Sequence, residues 1–566
     1  MEVEVIFGHG GVGKSCELFE NWKQLPRIKK MYMSHSHTFL KHQADRVPRS
    51  RHIYGLEWIC PCLVENSQFY NPIIVRLKNL KFPNKLLCSV CKELNAYPSD
   101  CPYKLQFKRM PNAVFLPIEY AGSKVLEEYR PQIIAVDDCL LRKKEHPTRA
   151  KLDFYIKYFS NNKYNLEDLC NMDYSAFEDV LTNLIKLSDD EITKWVVEQI
   201  KTNPEDKSVI SRITEPEELR AYYHYAKIYD MKDKFATPYL FYLFDYVFEY
   251  PKTQLIIIEA LPQTLRFLNM LAERYRYETR QMIVFKCREI KFQGQLPKSV
   301  IYRCHGDKTA WYPTTSSITT SNITRRAIIE RIKAIINSWN GKELPGFIVP
   351  KSVKNEFQRE FPNAKILTFG DLRGKNELEY NNPLFVVGTY NIERKDILDE
   401  FSLWFPNLEA SISDELVDDK PHGGRYEYKD EQLDFFRWLK EDYEQYQAVM
   451  RCRPLNYPRT IYHFGIVPKE IPEEIKIENL WIKIETLRGG GVVTILEDRV
   501  RWLEELVKKD GKIPLEVVVK EFQKTYGDKN VTRVKEKIGE ILKRSGKIDG
   551  RLDGKDVYLL WKDAYK

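Results

Sequence analysis

The stretch that decides the fold lies at residues 2–15 and reads EVEVIFGHGGVGKS. Its first six letters alternate and are rich in β-branched residues, which predicts a strand, and the segment CELFENWKQL at 16–25 predicts a helix. The loop between them matches the phosphate-binding pattern G-x-x-x-x-G-K-S/T in full. The residues that we expect around the phosphates are Gly8, Gly10, Gly11, Gly13, Lys14 and Ser15.

Each residue type in this loop has a chemical role. Glycines leave the backbone N–H groups open to the phosphates, Lys14 can reach the β and γ oxygens, and Ser15 can ligate Mg²⁺. The N-terminus of the following helix adds its dipole. A chance match in a glycine-rich turn is the alternative, but the strand before the loop and the helix after it argue against chance. The sequence therefore predicts that the chain binds ATP or GTP.

The composition is that of a globular chain with a slight basic surplus. Its 566 residues correspond to about three to four domains of about 150 residues each. Hydrophobic residues make up 43% and charged residues 30%, and no apolar run approaches the ~18–20 residues of a membrane helix. The first residues lack the pattern of a secretory signal, so we expect a cytoplasmic protein. The net charge of +8 only weakly favours a polyanionic partner.

Strand-like and helical stretches alternate along the chain, which predicts an α/β fold with parallel sheets. Strand-like runs at 131–138 and 253–261 flank a helical stretch, and a second alternating set begins after about residue 325. We therefore expect two α/β halves, the first of them interrupted by two insertions. A glycine-rich linker at 488–491 precedes three helical stretches and a hairpin-like end, which together have the outline of a winged helix.

A phosphate loop needs an acidic partner at the end of a neighbouring strand, and IIAVDD at 133–138 fits this requirement. Asp137 would hold Mg²⁺ through water, and Asp138 would orient or activate the attacking water. The alternative is a strand that simply ends in an acidic turn. We favour the catalytic interpretation because four apolar residues lead directly into the two carboxylates.

Five of the eleven cysteines lie within 42 residues. Disulfides are rare in cytosolic proteins, so this cluster predicts a metal site. Thiolates bind zinc or an iron–sulfur cluster, and the spacing alone favours neither. The candidate ligands are Cys60, Cys62, Cys88, Cys91 and Cys101.

The order of these motifs resembles that of the XPD/DinG group of superfamily 2 DNA helicases over about residues 1–460. The resemblance rests on the phosphate loop, the cysteine-rich insert ending in Cys101-Pro102-Tyr103, the acidic strand and the helical insert. It implies two RecA-like lobes, an iron–sulfur (4Fe–4S) cluster on the cysteines with Cys60 or Cys62 as its fourth ligand, an Arch-like helical insert, and 5′ to 3′ movement on DNA. Together with the winged-helix outline, the predicted division of the chain is a first lobe at 1–45, 103–140 and 251–300, a cysteine-rich insert at 46–102, a helical insert at 141–250, a second lobe at 301–487 and a winged helix at 492–566.

The resemblance also implies roles for single residues. The strand end SHSH at 34–37 is similar to the family motif that touches the DNA backbone. The segment QAVMRCR at 447–453 is similar to the sixth motif, with a nucleotide-sensing glutamine and an arginine finger, and a basic amphipathic helix is the alternative. The candidates are His35 and Ser36 for DNA, and Gln447 and Arg451 for the nucleotide.

The chain also departs from the family pattern. Glu259-Ala260-Leu261 stands where the family has its Ser-Ala-Thr coupling motif, and Cys139 follows the two aspartates without a histidine. Pro454 takes the place of the second arginine of the sixth motif, and Arg453 precedes it. These departures leave ATP hydrolysis better supported than strand separation.

The basic third helix of the C-terminal segment supports a DNA partner independently. Winged helices lay such a helix in the major groove, while basic side chains contact phosphates. A winged helix that binds protein is an alternative of nearly equal weight. The candidate DNA contacts are Arg533, Lys535 and Lys537.

Two functional hypotheses result. The first is an ATP-dependent DNA helicase or translocase that uses Mg²⁺, acts on single-stranded or forked DNA, and works as a monomer or in a larger nucleoprotein complex. The second is a nucleotide-gated DNA-binding adaptor or regulator with zinc in the cysteine module and no unwinding. In the first hypothesis the catalytic residues are Lys14, Asp137, Asp138, Gln447 and Arg451.

Overall fold

The computed structural model spans residues 1–566. The residues that it describes are 1–9, 13–65, 67–80, 84–96, 101–202, 211, 213–215, 217–229, 233–291, 296–306, 318–319, 322–370, 372, 377–410, 414–417, 425–482, 502–509, 512–526, 531, 534–535, 538–539, 541–542, 548–553 and 556–561. No helix within these ranges is long and apolar enough to cross a membrane.

The N-terminal half is organised around one parallel sheet. The strands of this half are β1 (Glu2–Phe7), β2 (Lys30–Ser34), β3 (Ser50–His52), β4 (Ala113–Pro117), β5 (Ile133–Asp137), β6 (Lys143–Glu145), β7 (Ala236–Pro238), β8 (Gln254–Glu259) and β9 (Val284–Glu289). Of these, β6 and β7 form a separate short pair. Seven of them form the sheet in the order β3-β4-β2-β5-β8-β1-β9, with all neighbours parallel. The strands predicted before the phosphate loop and at the acidic motif are therefore both in this sheet.

This strand order places the carboxyl ends of three strands side by side. Strand β8 lies between β1 and β5, and all three run in the same direction. Parallel strands place their carboxyl ends together, and ligands of open α/β sheets bind beyond those ends. Gly8, Asp137 and Glu259 each stand at one of these three ends.

Side chains of the first sheet alternate between two apolar cores. Along β1, Val3 and Val5 pack in one core, whereas Ile6 packs in the other. Such strands, buried on both faces, are what a parallel sheet covered by helices requires. The helices around this sheet are Lys14–Lys23, His37–Ala44, Val125–Tyr129, Tyr239–Glu249 and Thr264–Thr279, with a 3₁₀ turn at Ile118–Gly122.

A second parallel sheet forms the other half. The strands of this half are β10 (Val300–Gly306), β11 (Gly346–Val349), β12 (Lys365–Thr368), β13 (Leu384–Val387), β14 (Asp414–Val417), β15 (Arg425–Tyr428), β16 (Thr460–Phe464) and β17 (Lys476–Ile482). The sheet has six strands in the order β12-β11-β13-β16-β10-β17, all parallel, and β14 pairs antiparallel with β15. Its helices are Asn322–Asn337, Lys354–Glu360, Arg394–Trp404, Glu431–Lys440 and Asp442–Met450, with a 3₁₀ turn at Lys351–Val353.

Two such sheets in one chain are the tandem RecA-like lobes of the predicted α/β class, which is thereby confirmed. The lobes pack against each other through a shared apolar core. Phe267 of the first lobe lies 5.2 Å from Trp404 of the second, measured between ring centroids. Arg274 Nη1 donates to the Trp404 carbonyl at 2.7 Å in the same region. Aromatic packing and a hydrogen bond therefore both hold the first lobe to the second.

The two insertions of the first lobe share one core of their own. The cysteine-rich segment leaves the sheet only after β3, so its start lies beyond His52 rather than at residue 46. The helical insertion is closed at its base by the antiparallel pair β6–β7, and helix Tyr239–Glu249 packs in the first lobe. The helices of the two insertions are Leu56–Ile59, Pro72–Asn79, Asn84–Glu93, Pro102–Leu105, Arg149–Phe159, Leu166–Asn171, Tyr174–Thr202 and Glu217–Ile228. Residues from both insertions, such as Leu87 and Leu152, are buried together.

The C-terminal segment has a small core around a three-stranded antiparallel sheet. Its strands are β18 (Lys512–Pro514), β19 (Ile548–Asp553) and β20 (Asp556–Trp561), in the order β18-β20-β19. Helices at 502–509 and Leu515–Tyr526 pack on it through residues such as Val507 and Phe522. Lys535 is exposed, whereas Arg533 and Lys537 lie outside the described residues. The winged helix itself stays a prediction.

Candidate functional site

The phosphate loop ends in a glycine that the backbone requires. Gly13 has a φ of +95°, a left-handed conformation that favours glycine, and it precedes helix Lys14–Lys23 directly. Of the other glycines predicted in the loop, Gly8 directly follows β1, whereas Gly10 and Gly11 lie outside the described residues.

Lys14 is held at the mouth of the loop by backbone carbonyls. Its Nζ donates to the Gly8 carbonyl and lies 3.4 Å from the His9 carbonyl oxygen. Burial lowers the pKa of Lys14 to about 8, although the carboxylates of Asp137 and Glu259 favour its charged form. The ammonium group therefore sits where phosphate oxygens would replace the backbone carbonyls as its partners.

Ser15 and Asp137 meet across the sheet edge. The Ser15 hydroxyl donates to Asp137 Oδ2 at 3.2 Å, and the Tyr32 hydroxyl donates to the same oxygen. Burial raises the pKa of Asp137, while Tyr32 and the Lys14 charge oppose that shift. A serine hydroxyl and a strand-end carboxylate are the groups that hold Mg²⁺ in phosphate-loop proteins, so this donor set fits that ion.

The second aspartate faces the other lobe. Asp138 has a φ of +55°, and its Oδ2 lies 3.8 Å from Arg451 Nη2. Arg451 Nη2 also donates to Gln447 Oε1 at 2.7 Å. Burial lowers the pKa of Arg451, and the Asp138 carboxylate opposes this shift. Residues that are more than 300 positions apart in the chain thus form one charged cluster between the lobes.

One cavity of about 310 Å³ collects these groups. Its lining includes Lys14, Ser15, Asp137 and Asp138 of the first lobe. Other residues of the lining are Gln447, Arg451, Arg453, Tyr443, Glu259 and Arg46. Every described residue that the sequence assigned to catalysis is in this lining, as is the displaced arginine at 453.

Glu259 and Tyr443 are two of several lining residues that the sequence patterns did not identify as functional. Glu259 stands only in a poor match to a coupling motif, and Tyr443 stands in no motif. In the structure the Tyr443 hydroxyl donates to Glu259 Oε2 at 2.9 Å, across the lobes. The signal for Glu259 was available, because it ends a buried strand as Asp137 does. Tyr443 lies in a helix with no distinctive spacing, so its role depends on tertiary contacts.

Four of the five cysteines predicted as metal ligands line a second cavity, of about 450 Å³, in the cysteine-rich insertion. Its lining includes Cys60, Cys88, Cys91 and Cys101. Cys62 is outside this lining, fully buried, with its Sγ 3.5 Å from Cys91 Sγ. Burial raises the pKa of Cys88 to about 11, and it also raises the pKa of Cys60 and Cys91.

Four thiols around one space are a donor set that suits a metal or an iron–sulfur cluster. Within the described part of the chain, no three thiol, imidazole or carboxylate groups are close enough together to hold a single ion. The iron–sulfur cluster and its zinc alternative both stay predictions.

The predicted DNA contacts of the first lobe lie at the carboxyl end of β2. Ser36 caps helix His37–Ala44, because its hydroxyl accepts a hydrogen bond from the Phe39 N–H at 3.3 Å. His35 is half-buried in the same turn. Neither residue is in the lining of the cavity between the lobes. This turn lies on the same sheet edge as the phosphate loop, two strands away from β8.

No family model and no curated protein matches this chain. An apo XPD structure is similar at 10% identity over 84% of this chain and 97% of its own, with a TM-score of 0.38. The Xpd4 structure of S. tokodaii is similar at 11% identity over 84% and 96%, with a TM-score of 0.37. The DEAD-box helicase Mss116 bound to ssRNA and UDP-BeF is similar at 9% identity over 96% and 84%, with a TM-score of 0.32. At such values the two-lobe assignment rests on the strand order and on the shared cavity, rather than on these similarities.

Proposed function

We propose that this chain is an ATP-dependent helicase or translocase of the XPD/DinG type that acts on single-stranded or forked DNA. The observation that carries the proposal is the cavity between the lobes. It joins Lys14, Ser15 and Asp137 of one lobe to Gln447 and Arg451 of the other. A nucleotide bound there would contact both lobes at once, so its hydrolysis would change how they sit together.

The chemistry that these residues support is attack of water on the γ-phosphorus, with cleavage of the bond to the bridging oxygen of ADP. Lys14 and Arg451 would stabilise the charge on the transferred group, and Asp138 would orient the water and accept its proton. Ser15 and Asp137 would hold Mg²⁺, which neutralises phosphate charge when it is bound.

DNA as the partner is supported by predicted contacts outside this cavity. His35 and Ser36 follow the carboxyl end of β2, on the side of the first sheet that carries the phosphate loop. Exposed Lys535 in the C-terminal segment offers a phosphate contact, and the net charge is +8. Movement in the 5′ to 3′ direction follows from the family resemblance.

The test is ATP hydrolysis with and without single-stranded DNA, followed by strand displacement on forks with a 5′ or a 3′ tail. We expect DNA to stimulate hydrolysis and the 5′-tailed fork to be opened. Absence of DNA-stimulated hydrolysis would refute the proposal. ATP binding with no hydrolysis at all would instead support the nucleotide-gated adaptor.

Nucleotide affinity is expected to fall as the pH rises through about 8. The free protein loses the charge of Lys14 above its pKa of about 8, whereas a bound triphosphate favours the protonated form. Each pH unit above that value should therefore weaken ATP binding by up to about tenfold. The measurement is the Kd of ATP as a function of pH. A Lys14→Arg variant should lose this dependence, and the same slope in that variant would rule out Lys14 as its source.

Cys60, rather than Cys62, is expected to be the fourth metal ligand, because only Cys60 shares the cavity with the other three thiols. Cys60→Ser should lower the metal content as much as Cys88→Ser, by about tenfold or more, and Cys62→Ser should retain most of it. Iron and zinc are measured per chain after anaerobic purification, with absorbance near ~400 nm as the sign of an iron–sulfur cluster.

The control for this series is Cys287→Ser, which changes an exposed cysteine on β9. It should keep the metal content of the wild type. Loss of metal from Cys62→Ser together with retention in Cys60→Ser would contradict the assignment. Stoichiometric zinc without iron would favour the zinc alternative.

A further inference from the structure

Helix Asp442–Met450 is buried on every side although its sequence, DYEQYQAVM, is rich in polar groups. Burying a polar side chain is costly unless it is hydrogen-bonded, so the partners of these side chains are informative. The same helix leads directly to Arg451 and carries Gln447 near its end. Its attachments therefore decide where these two residues stand relative to the phosphate loop.

Two of its side chains attach the helix to the second lobe. Glu444 Oε1 accepts a hydrogen bond from the Gly370 N–H at 2.8 Å. Gln445 Nε2 donates to the Gly388 carbonyl at 2.9 Å, and Gln445 Oε1 accepts from the Tyr390 N–H at 3.2 Å. These contacts reach loops that follow strands of the second sheet, so they attach the helix to that lobe.

Two tyrosines on another face of the helix reach the first lobe. The Tyr443 hydroxyl donates to Glu259 Oε2 at 2.9 Å, and the Tyr446 hydroxyl shares a hydrogen bond with His9 Nδ1 at 2.8 Å. Their rings are nearly parallel, at 7°, with centroids 6.0 Å apart, as the i, i+3 spacing allows. His9 belongs to the phosphate loop, and Glu259 ends the strand beside it.

We infer that Tyr443 and Tyr446 are positioning residues that hold the phosphate-loop edge of the first lobe against the helix carrying Gln447 and Arg451. The inference rests on the proposed function, because it concerns the same cleft. Both tyrosines are at most 1% exposed and Glu259 is 2% exposed. A buried hydrogen bond to a carboxylate is among the stronger kinds, and it has a narrow geometry.

The lobes have other contacts that would survive the loss of these two bonds. Phe267 packs on Trp404, and Arg274 donates to the Trp404 carbonyl, at residues that are not part of the cleft lining. Removing one tyrosine hydroxyl should therefore loosen the phosphate-loop edge without separating the lobes. The expected defect is one of geometry at the site of hydrolysis.

The first experiment needs no nucleotide. Hydrogen–deuterium exchange is compared in the wild type, in Tyr443→Phe and in Glu259→Ala. We expect either variant to raise exchange both in peptides around 254–261 and in those around 442–450. The control is Tyr275→Phe, which loses a part-buried tyrosine–carboxylate bond of 2.6 Å to Asp245 inside the first lobe, together with the bond of the same hydroxyl to Gln281. Unchanged exchange, or a change confined to the mutated segment, would overturn the inference.

The second experiment is kinetic. Tyr443→Phe should lower kcat for ATP hydrolysis by about 10- to 100-fold and change ADP affinity by less than about threefold. The double variant with Glu259→Ala should be no worse than the poorer single variant, since both remove one bond. Glu259→Gln, whose amide oxygen can still accept, should restore part of kcat. Additive losses or a normal kcat in Tyr443→Phe would refute the link.

The two experiments separate this inference from the proposed function. A wild type that hydrolyses no ATP refutes the helicase proposal, and exchange then decides the inference alone. A wild type that hydrolyses ATP while Tyr443→Phe behaves like Tyr275→Phe leaves the proposed function standing and refutes the role of the tyrosines.

Discussion

Replacing Arg451 by alanine is expected to lower kcat of ATP hydrolysis on the order of 10³- to 10⁵-fold, the usual contribution of an arginine finger. Arg451 is the cation that the second lobe presents to the cavity beside Asp138, at 3.8 Å, and it is oriented by Gln447 at 2.7 Å. It acts on charge that develops on the γ-phosphoryl group, so ADP binding should change little. Single-turnover hydrolysis and ADP titration measure these two effects separately.

The matched variants for this prediction are Arg451→Lys and Arg326→Ala. Lysine keeps the charge but loses the planar fork, so it should recover only part of kcat. Arg326 is exposed on a helix of the second lobe, and its removal should leave hydrolysis unchanged. Because Arg451 is 8% exposed, thermal unfolding of each variant is recorded as well. An Arg451→Ala protein that folds and hydrolyses ATP within a few-fold of wild type would contradict the assignment.

Replacing Lys14 by alanine is expected to weaken binding of both ATP and ADP and to lower hydrolysis by about 10²- to 10³-fold. Unlike Arg451, Lys14 would contact phosphates in the ground state as well as in the transition state, so both constants should change. Its Nζ donates hydrogen bonds to the carbonyls of Gly8 and His9, and the carboxylates of Asp137 and Glu259 favour its charged form. The measurements are Kd by calorimetry and kcat with saturating DNA.

The control for Lys14 is Lys23→Ala in the same helix. Lys23 is exposed and, among the described residues, forms an ion pair only with Glu20, at 2.7 Å. Its removal should therefore change stability by less than about 1 kcal/mol and leave ATP binding intact. Retention of nucleotide affinity in Lys14→Ala would show that the loop does not bind phosphate through this lysine. Equal losses in both variants would point to the helix rather than to the lysine.

Much of the first lobe could be predicted from local patterns. The phosphate loop, the strand before it and the acidic strand at 133–137 are predicted from residues that are neighbours in the chain. In the structure both strands belong to one sheet, with their carboxyl ends on the same side and β8 between them. The α/β class with two lobes followed from the alternation of strands and helices. Local patterns suffice here because periodicity reports directly on which faces of a strand or helix are buried.

The pairing of distant segments could not be predicted in this way. That the cysteine-rich and helical insertions share one core, and that β6 and β7 close the helical insertion, depends on contacts between residues far apart in sequence. The expectation that Cys60 rather than Cys62 is the fourth ligand likewise depends on which of the two residues lines the cavity. Their positions in the sequence do not distinguish them, because they are only two residues apart.

The sequence by itself predicted the side chains that meet at the cleft: a lysine and a serine in a phosphate loop, two strand-end aspartates and, through the family resemblance, a distant arginine. Only the tertiary structure decided how the lobes are joined at that cleft. Tyr443 and Glu259 are 184 positions apart and carry no local pattern that links them. Their hydrogen bond forms because the packing of the two lobes brings a helix of one lobe against the strand ends of the other. Local sequence spacing cannot predict a contact between residues that are this far apart.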